Sequence, residues 1–319
     1  MFKILTLNNI SSRGLSQFDA EQYQVGSDLI EPDAILVRSQ VMHEMAFPPS
    51  LKAVGRAGAG VNNIPIARLS AAGVPVFNTP GANANAVKEL VLAGMLMASR
   101  NIPQALRFVD DLTGDDAAMH KAVESGKKQF VGTELPGRTL GVVGLGAIGV
   151  KVANAAHALG MRVIGFDPKV TVENAWQLSA GVEQARSVEE VIARADYLSF
   201  HVPLNDHTRN MLSAERLKVA KPGLIVLNFS REGVVEAAVV REALDEGKLA
   251  GYVCDFPSVA LQGHPRVIAL PHLGASTHEA EENCGVMVVQ QIRDYLENGN
   301  IRNSVNFPEA ILPRTEGYR

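Results

Sequence analysis

Short, continuous apolar runs alternate repeatedly with stretches of helical period, and this alternation constrains the fold more than any other feature of the chain. The runs are rich in Val, Ile and Leu, as in Thr139–Val143 and Leu224–Asn228, and helical patterns such as residues 188–193 separate them. Continuous apolar runs are typical of strands buried on both faces, and helical crossovers between such strands make the sheet parallel. The pattern therefore predicts an α/β fold.

Two groups of strands are predicted, with residues 110–136, a polar and glycine-containing segment, between them. The first group has strands at residues 2–7, 34–37, 51–54 and 74–77. The second has strands at residues 139–143, 162–166, 197–201, 224–228, 251–255 and 267–270. Helices are predicted at residues 64–72, 83–109 with a kink or restart at Pro103, 236–245 and 279–296. The last helix could return the chain to the first unit. Residues 303–319 show no sequence pattern that predicts packing.

Composition and charge exclude several classes of protein. With 319 residues, 46% of them hydrophobic, the chain is long enough for two domains. Its net charge of -4, without basic or acidic blocks, argues against a nucleic-acid or anionic-membrane surface. No leader-like segment or apolar stretch of about 18 residues occurs, so an unexported cytoplasmic protein is expected. Cys254 and Cys284 lack metal-ligand spacing, and no metal site is predicted.

A glycine-rich segment follows the strand predicted at residues 139–143. Gly144, Gly146 and Gly149 fit the G-x-G-x-x-G pattern, which lets the backbone approach a pyrophosphate at a helix N-terminus. Asp167 lies 18 residues after Gly149, where a carboxylate accepts both ribose hydroxyls and repels a 2′-phosphate. These residues predict an NAD site. The alternative is that the glycines only pack a helix on the sheet and Asp167 caps a turn.

Two further polar side chains come directly after strands of the second group. Arg231 follows the strand at residues 224–228, and His272 follows the strand at residues 267–270. Ligands bind at the carboxyl ends of parallel strands. Oxidation of a 2-hydroxy acid needs a cation for the carboxylate and carbonyl oxygens and a base for the hydroxyl proton, which suit Arg and His. A surface ion pair for Arg231 and a turn role for His272 remain alternatives.

Six segments, taken together and in order, resemble the D-isomer-specific 2-hydroxyacid dehydrogenase family, and within it the D-3-phosphoglycerate dehydrogenases. The resemblance covers nearly the whole chain. It lies in residues 55–63, 78–81 with 88–90, 144–149, 201–204, 228–235 and 271–277. A set of this kind is far more specific than any single motif.

The resemblance implies a particular arrangement of domains. A Rossmann NAD-binding domain, residues 99–284, is expected to be inserted into a discontinuous flavodoxin-like substrate domain, residues 1–98 and 285–319. Each is expected to be a doubly wound parallel sheet. A homodimer or higher homo-oligomer is expected as well. Many phosphoglycerate dehydrogenases continue into a regulatory amino-acid-binding domain, so truncation before such a domain at Arg319 is an open alternative.

The resemblance also implies roles for individual residues. Arg231 is expected to anchor and polarise the substrate, and His272 to be the acid/base. The residues expected to bind the cofactor are Gly144, Gly146, Ala147, Ile148, Gly149, Asp167, His201, Val202, Pro203, Thr208, Asn228, Phe229, Ser230, Asp255 and Gly274. Those expected to bind a phosphorylated substrate are Arg38, Arg56, Ala57, Gly58, Ala59, Gly60, Arg231 and His272. Pairing of Arg38 and Arg56 with acids or carbonyls is the alternative for those two.

One departure from the family bears on the mechanism. The family places a Glu about five residues after the position of Asp255, where it hydrogen-bonds the catalytic His, but no acid occurs here between Asp255 and Glu279. Without that partner His272 is expected to be less basic and less well oriented, and the alternative is that Glu232 or Glu89 substitutes for it. The reductive rate should then fall off at lower pH than in relatives that have the pair.

The function expected from these residues is NAD-dependent oxidation of D-3-phosphoglycerate to 3-phosphohydroxypyruvate, and the reverse reduction, as the first step of serine biosynthesis. One alternative is a glyoxylate, hydroxypyruvate or other 2-oxo acid reductase of the same family, which differs in whether phosphate must be bound. Another alternative is an NADH-sensing binding protein with weak catalysis, because relatives of this fold act as NADH-binding corepressors.

Overall fold

The computed structural model describes residues 1–311 and contains two compact units. One unit comprises Met1–Ala86 together with the chain from Ala275 onward, and the other comprises Val87–Gly274. Each contains one parallel sheet with helices, which confirms the predicted fold class. No helix within residues 1–311 is long and apolar enough to cross a membrane.

The helices and strands are numbered in chain order. The strands are β1 (Phe2–Leu7), β2 (Tyr23–Gly26), β3 (Ala34–Val37), β4 (Ala53–Arg56), β5 (Val76–Phe77), β6 (Thr139–Val143), β7 (Arg162–Phe166), β8 (Val182–Gln184), β9 (Tyr197–Phe200), β10 (Leu224–Asn228), β11 (Leu249–Cys254) and β12 (Val267–Ala269). The helices are α1 (Ser12–Leu15), α2 (Ile66–Ala71), α3 (Ala84–Ser99), α4 (Ile102–Asp110), α5 (Asp116–Gly126), α6 (Ala147–Ala158), α7 (Val172–Gln177), α8 (Val188–Arg194), α9 (Ala214–Leu217), α10 (Ala237–Asp245) and α11 (His278–Asn298). Short 3₁₀ turns lie at Lys127–Phe130 and Glu232–Val234.

The first unit has a five-stranded sheet of order β2-β1-β3-β4-β5, which is the flavodoxin-like order. Its strands alternate between two apolar clusters. Ile4 and Leu36 belong to a cluster that includes Val288 and Ile292 of α11, whereas Leu5 and Ile35 belong to a cluster on the other face. Burial on both faces explains why these strands read as continuous apolar runs.

The second unit has a seven-stranded sheet of order β12-β11-β10-β9-β6-β7-β8. Starting from β6, the order rises in one direction through β7 and β8 and in the other through β9 to β12, so the topology reverses between β6 and β9. This is the doubly wound arrangement in which ligands bind outside the carboxyl ends of the strands at the point of reversal. Leu140 and Leu227 pack in one apolar cluster, and Leu198 and Val226 pack in the other.

Helix α11 joins the first unit through a close approach of two backbones. An added Cβ on Gly14 of α1 would lie 2.5 Å from the carbonyl carbon and oxygen of Gly285 in α11. A side chain at Gly14 would therefore force the two helices apart. The predicted return of the chain to the first unit depends on this pair of glycines, in addition to the apolar cluster under α11.

The predicted helices were confirmed at one place and incomplete at others. The restart predicted at Pro103 within residues 83–109 is confirmed, because Asn101 adopts a left-handed backbone and Pro103 lies in the first turn of α4. Segment 110–136 contains α5, whose N-cap Asp115 accepts a hydrogen bond from the Ala118 N–H group. Strands β2 and β8 and helix α7 were not predicted.

Residues 303–319 were predicted to have no packing, and this prediction was wrong for the first residues of the segment. The Val305 N–H group donates to the Val76 carbonyl at 2.9 Å, and Asn306 Oδ1 accepts from the Val76 N–H group at 2.8 Å. These bonds give hydrogen-bond partners to the N–H and carbonyl groups of Val76 in β5, the edge strand of the first sheet. Residues 312–319 lie outside the described part of the chain.

Candidate active site

The strands of the second unit end in a single row, and this row places the candidate site residues. The backbone register aligns the last residues of six adjacent strands: Phe166, Val143, Phe200, Asn228, Cys254 and Ala269. The residues that follow them therefore emerge at one edge of the sheet. Gly144, Asp167, His201 and Asp255 are the next residues after four of these strands.

The glycine loop between β6 and α6 has the geometry that a pyrophosphate requires. Gly144 has a φ of 93°, which favours glycine, and an added Cβ on Gly149 would lie 1.9 Å from the Gly144 carbonyl oxygen. Gly146 is different, because an added Cβ there would meet no protein atom within 4 Å. Gly146 is also the N-cap of α6, a helix of 12 residues. Its open face at a helix N-terminus fits an anionic group of a dinucleotide.

Asp167 connects the end of β7 to the glycine loop. Its Oδ2 accepts from the Leu145 N–H group at 2.8 Å, and its Oδ1 accepts from the Lys169 N–H group at 2.8 Å. The carboxylate is half-buried and lies beside the loop, as the predicted contact with ribose hydroxyls requires. The turn contact to Lys169 is part of the alternative interpretation, and one carboxylate can serve both purposes.

His201, which follows β9, has one unsatisfied ring nitrogen. Its Nε2 lies 2.8 Å from Ser199 Oγ, while its Nδ1 is buried and has no hydrogen-bond partner within residues 1–311. Burial lowers the pKa of His201 to about 4, so the imidazole is neutral at pH 7. A buried neutral ring nitrogen without a partner is costly unless a ligand completes it. Ser199 was missed by the sequence, although residues i and i+2 of a strand share a face.

Arg231 is placed by a tight turn after β10. Asn228 is fully buried; its Nδ2 donates to the Arg231 carbonyl at 3.0 Å, and its Oδ1 accepts from the Ser230 N–H and hydroxyl groups. The Arg231 Nη1 donates to the Ser230 carbonyl at 2.6 Å. Burial lowers the pKa of the guanidinium, which stays charged, and no carboxylate within residues 1–311 pairs with it. The ion pair considered as the alternative is absent from the described residues.

Asp255 and His272 belong to one compact turn. Asp255 is 1% exposed; its Oδ1 accepts from the Leu273 N–H group and its Oδ2 from the Gly274 N–H group, both at 2.7 Å. The His272 N–H group donates to the Asp255 carbonyl at 3.1 Å. The imidazole of His272 is exposed and makes no hydrogen bond or ion pair with any described residue. It is therefore available to a substrate at the sheet edge.

The other predicted cofactor residues lie in the same loops. Ala147 and Ile148 form the first turn of α6, and Phe229 is buried directly after β10. The segment after β9 contains Val202, Pro203 and Thr208, and the Thr208 hydroxyl group donates to the Pro203 carbonyl.

In the first unit, Arg38 and Arg56 lie at the carboxyl ends of adjacent strands. Val37 pairs with Arg56, so Arg38 and Ala57 emerge at the same edge. The Arg38 Nη2 donates to Glu281 Oε1 at 2.7 Å, and the Arg56 Nε donates to the Arg38 carbonyl at 3.1 Å. These are the contacts of the alternative interpretation. A guanidinium has five N–H donors, so neither contact precludes a phosphate.

The loop at residues 57–60 is arranged around the guanidinium of Arg56. Gly58 has a φ of 147°, and an added Cβ there would lie 1.6 Å from Arg56 Nη1. The N–H groups of Ala57 and Gly58 donate to the carbonyls of Val37 and Arg56. Within residues 1–311, those of Ala59 and Gly60 make no hydrogen bond, so they are the donors left for a carboxylate.

Three asparagines and one glutamate to which the sequence analysis assigned no role hold these loops. Asn8 Oδ1 accepts from the N–H groups of Ser39 and Gln40, and Asn78 Nδ2 donates to the Ala59 carbonyl at 2.6 Å. Asn63 Nδ2 donates to the Arg38 and Gln40 carbonyls. Glu281 is the partner of Arg38 although 243 positions separate them, so no local pattern could identify it.

Comparison with protein families decides the family. Residues 92–274 match the family model described as "D-isomer specific 2-hydroxyacid dehydrogenase, NAD binding domain". The matched residues are more than half of the chain. The chain belongs to the D-isomer-specific 2-hydroxyacid dehydrogenase family. The match confirms the predicted family and NAD as the predicted cofactor. It begins within α3 and ends at Gly274, so it contains the glycine loop, Arg231 and His272 of this family member.

Individual relatives of this dehydrogenase-family chain agree with that assignment. It is 39% identical over 277 residues to the D-3-phosphoglycerate dehydrogenase of Methanocaldococcus jannaschii, with 84% of this chain and 50% of that protein covered. It is 36% identical to the Bacillus subtilis protein of the same name, with 97% and 59% covered. The chain thus spans about half the length of the first relative and 59% of the second. The structure of Rhodotorula graminis D-mandelate dehydrogenase has the same fold, with a TM-score of 0.80, 24% identity and coverage of 97% and 99%.

Two glycines of the nucleotide loop should respond differently to an added methyl group. We expect Gly146→Ala to leave the thermal unfolding midpoint unchanged, because its Cβ meets no protein atom. It should raise the Kd for NADH about 10- to 100-fold by displacing the pyrophosphate. Gly149→Ala should instead destabilise the fold by about 1–3 kcal/mol, because its Cβ would clash with a backbone carbonyl. An unchanged Kd in Gly146→Ala, measured by fluorescence titration, would contradict the assigned loop.

Proposed function

We propose that this chain oxidises D-3-phosphoglycerate to 3-phosphohydroxypyruvate with NAD, and catalyses the reverse reduction, as a cytoplasmic enzyme of serine biosynthesis. The observation that carries the proposal is the single sheet edge in the second unit. The nucleotide loop, the turn of Arg231 and the turn of His272 all emerge there. The names of the relatives reported above support the choice of substrate.

Each polar group at this edge has a task in the reaction. The partly buried guanidinium of Arg231, which no described carboxylate neutralises, binds the substrate carboxylate and polarises the oxygen on carbon 2. His272 accepts the hydroxyl proton during oxidation and returns it during reduction. NAD, when bound, supplies the hydride acceptor, and NADH supplies the donor for the reverse direction. The remaining predicted residues bind and orient the nucleotide.

Asp167 determines the preference between NAD and NADP in this proposal. Its carboxylate lies against the Leu145 N–H group at the glycine loop, where the adenosine ribose binds in such folds. A 2′-phosphate at that place would meet a like charge. We therefore infer a preference for NAD(H). In this proposal the nucleotide domain comprises residues 99–284, and the substrate domain comprises residues 1–98 and 285–319.

The first unit supplies the groups that bind the substrate's anionic ends. Arg38 and Arg56 emerge at the same sheet edge, next to the N–H groups of Ala59 and Gly60. Two guanidinium groups suit a phosphate dianion, and paired N–H groups suit a carboxylate. Because Glu281 pairs with Arg38 in this structure, a substrate phosphate would have to compete with the Glu281 carboxylate for the Arg38 guanidinium. This contact favours the second candidate function, a reductase of unphosphorylated 2-oxo acids such as glyoxylate or hydroxypyruvate.

A second copy of the chain is the proposed partner, as a homodimer or a higher homo-oligomer. Helix α4 exposes Ile102, Leu106 and Val109, with exposed fractions of 38%, 60% and 48%. Their spacing places them on one face of the helix. An apolar stripe of this kind on a helix without buried residues is typical of an interface.

The proposed activity is tested by NADH and NADPH consumption with phosphohydroxypyruvate, hydroxypyruvate, glyoxylate and 2-oxoglutarate. We expect the highest kcat/KM with NADH and phosphohydroxypyruvate. Higher kcat/KM with an unphosphorylated acid would favour the reductase function. Tight NADH binding without turnover of any acid would favour an NADH-sensing protein.

Phosphate recognition by Arg38 is tested with Arg38→Ala. Loss of a charge-assisted hydrogen bond should lower kcat/KM for phosphohydroxypyruvate about 10- to 100-fold. The kcat/KM for hydroxypyruvate should change little. Arg13→Ala is the matched control, because Arg13 also pairs with a Glu of α11, Glu282, at 2.9 Å. An equal loss on both substrates would mean that Arg38 serves the carboxylate or the fold.

The proposed dimer is tested by Leu106→Glu, which places a charge in the centre of the exposed stripe. We expect sedimentation velocity to give a monomer for this variant and a dimer for the parent chain, because burying an unpaired charge is costly. Val172→Glu is the control, since Val172 is 67% exposed on the separate helix α7. A dimer that persists in Leu106→Glu would exclude this face.

A further inference from the structure

His272 has an unusual backbone that its surroundings must maintain. Its φ is 57°, in the left-handed region, which a non-glycine residue adopts only at an energetic cost. Such a conformation persists when neighbouring groups over-determine it. It also sets the direction in which the side chain leaves the backbone.

Asp255 makes most of the hydrogen bonds that hold the backbone around His272, and the His272 N–H group also donates to the Leu270 carbonyl at 3.0 Å. The N–H groups of three consecutive residues, His272, Leu273 and Gly274, donate to the carbonyl oxygen, Oδ1 and Oδ2 of Asp255. The carboxylate is 1% exposed, so these bonds are shielded from water. Asp255 therefore fixes the position of the His272 Cα atom. It leaves the rotation of the imidazole about its side-chain bonds undetermined.

The imidazole itself contacts an aromatic ring next in sequence to Asp255. The ring centroids of Phe256 and His272 are 5.0 Å apart, and the planes are inclined at 58°. Tilted aromatic pairs at this distance attract one another. Phe256 is held in turn, because its carbonyl accepts a hydrogen bond from the Cys254 thiol at 3.4 Å.

The carboxylate that orients the catalytic histidine elsewhere in the family has no counterpart near this ring. Val259, in the segment where the family has its Glu, is 90% exposed, and no acid within residues 1–311 bonds to the His272 imidazole. The Phe256 ring is the aromatic group that the structure places against the imidazole. A ring contact restricts rotation without supplying a charge.

We propose that Phe256 is the positioning residue for His272, and that ring packing on a turn clamped by Asp255 orients the acid/base in place of a carboxylate partner. This inference rests on the proposed function insofar as His272 transfers the proton. The contact itself does not depend on that function. Phe256 touches neither substrate nor cofactor in this scheme and acts only through His272.

The test compares Phe256→Leu, which keeps apolar volume but removes the ring, with Phe256→Tyr, which keeps the ring. Phe130→Leu is the matched control, because Phe130 forms a similar pair with Phe108, at 5.3 Å and 51°, outside the proposed site residues. The readouts are kcat and KM for 2-oxo acid reduction, Kd for NADH, and the imidazole proton resonance of His272. The resonance is assigned by its loss in His272→Gln.

We expect Phe256→Leu to lower kcat about 10-fold, part of the factor of about 10² to 10⁴ that a positioned acid/base supplies. The KM for the acid and the Kd for NADH should stay within about 2-fold, since binding is unaffected. The His272 resonance should lose its ring-current shift. Phe256→Tyr should restore both kcat and the resonance, and Phe130→Leu should change neither.

Two results would overturn the inference. One is an unchanged kcat and resonance in Phe256→Leu, and the other is an equal fall of kcat in Phe130→Leu, which would indicate a general loss of packing. If the parent chain reduces none of the acids, the proposed function fails separately. The resonance then still decides whether Phe256 holds the imidazole.

Discussion

The register of the parallel strands in the second unit is the constraint on which the candidate site depends. Backbone hydrogen bonds align Val143, Phe200, Asn228, Cys254 and Ala269 in one row. Residues that are distant in sequence consequently leave the sheet at the same edge. A shift of one residue in a strand would turn its side chains to the opposite face and remove its contribution to the site.

Buried polar groups convert this shared edge into defined loops. Asn228 fixes the turn that bears Arg231, and Asp255 fixes the turn that bears His272. Both side chains are buried and each of their oxygens accepts at least one hydrogen bond, which matters because an unsatisfied buried polar atom costs about 1–3 kcal/mol. The guanidinium of Arg231 and the imidazole of His272 remain without partners among the described carboxylates, while the side chains of Asn228 and Asp255 are hydrogen-bonded. This division lets rigid loops present groups that are available to a ligand.

Strands β1, β3, β6, β7 and β10 could be predicted to the residue, because each is rich in apolar residues and ends at or just before a polar or glycine residue. Strands β2 and β8 could not, because edge strands with exposed residues lack that pattern. Helix α5 has no buried residue, so it lacked the apolar period on which helix prediction depends. Its signal was local, in the N-cap Asp115.

The sequence by itself determined the α/β class and the nucleotide loop, and it predicted Arg231 and His272 as site residues, because each is encoded in a short segment with its own physical pattern. Only the tertiary structure decided their partners. Glu281 reaches Arg38, Ser199 holds His201, Asp255 holds the turn of His272, and Phe256 packs on its ring. Apolar periodicity determines which face of an element is buried. A hydrogen bond or ring contact instead depends on distances of a few ångströms, which only chain folding sets.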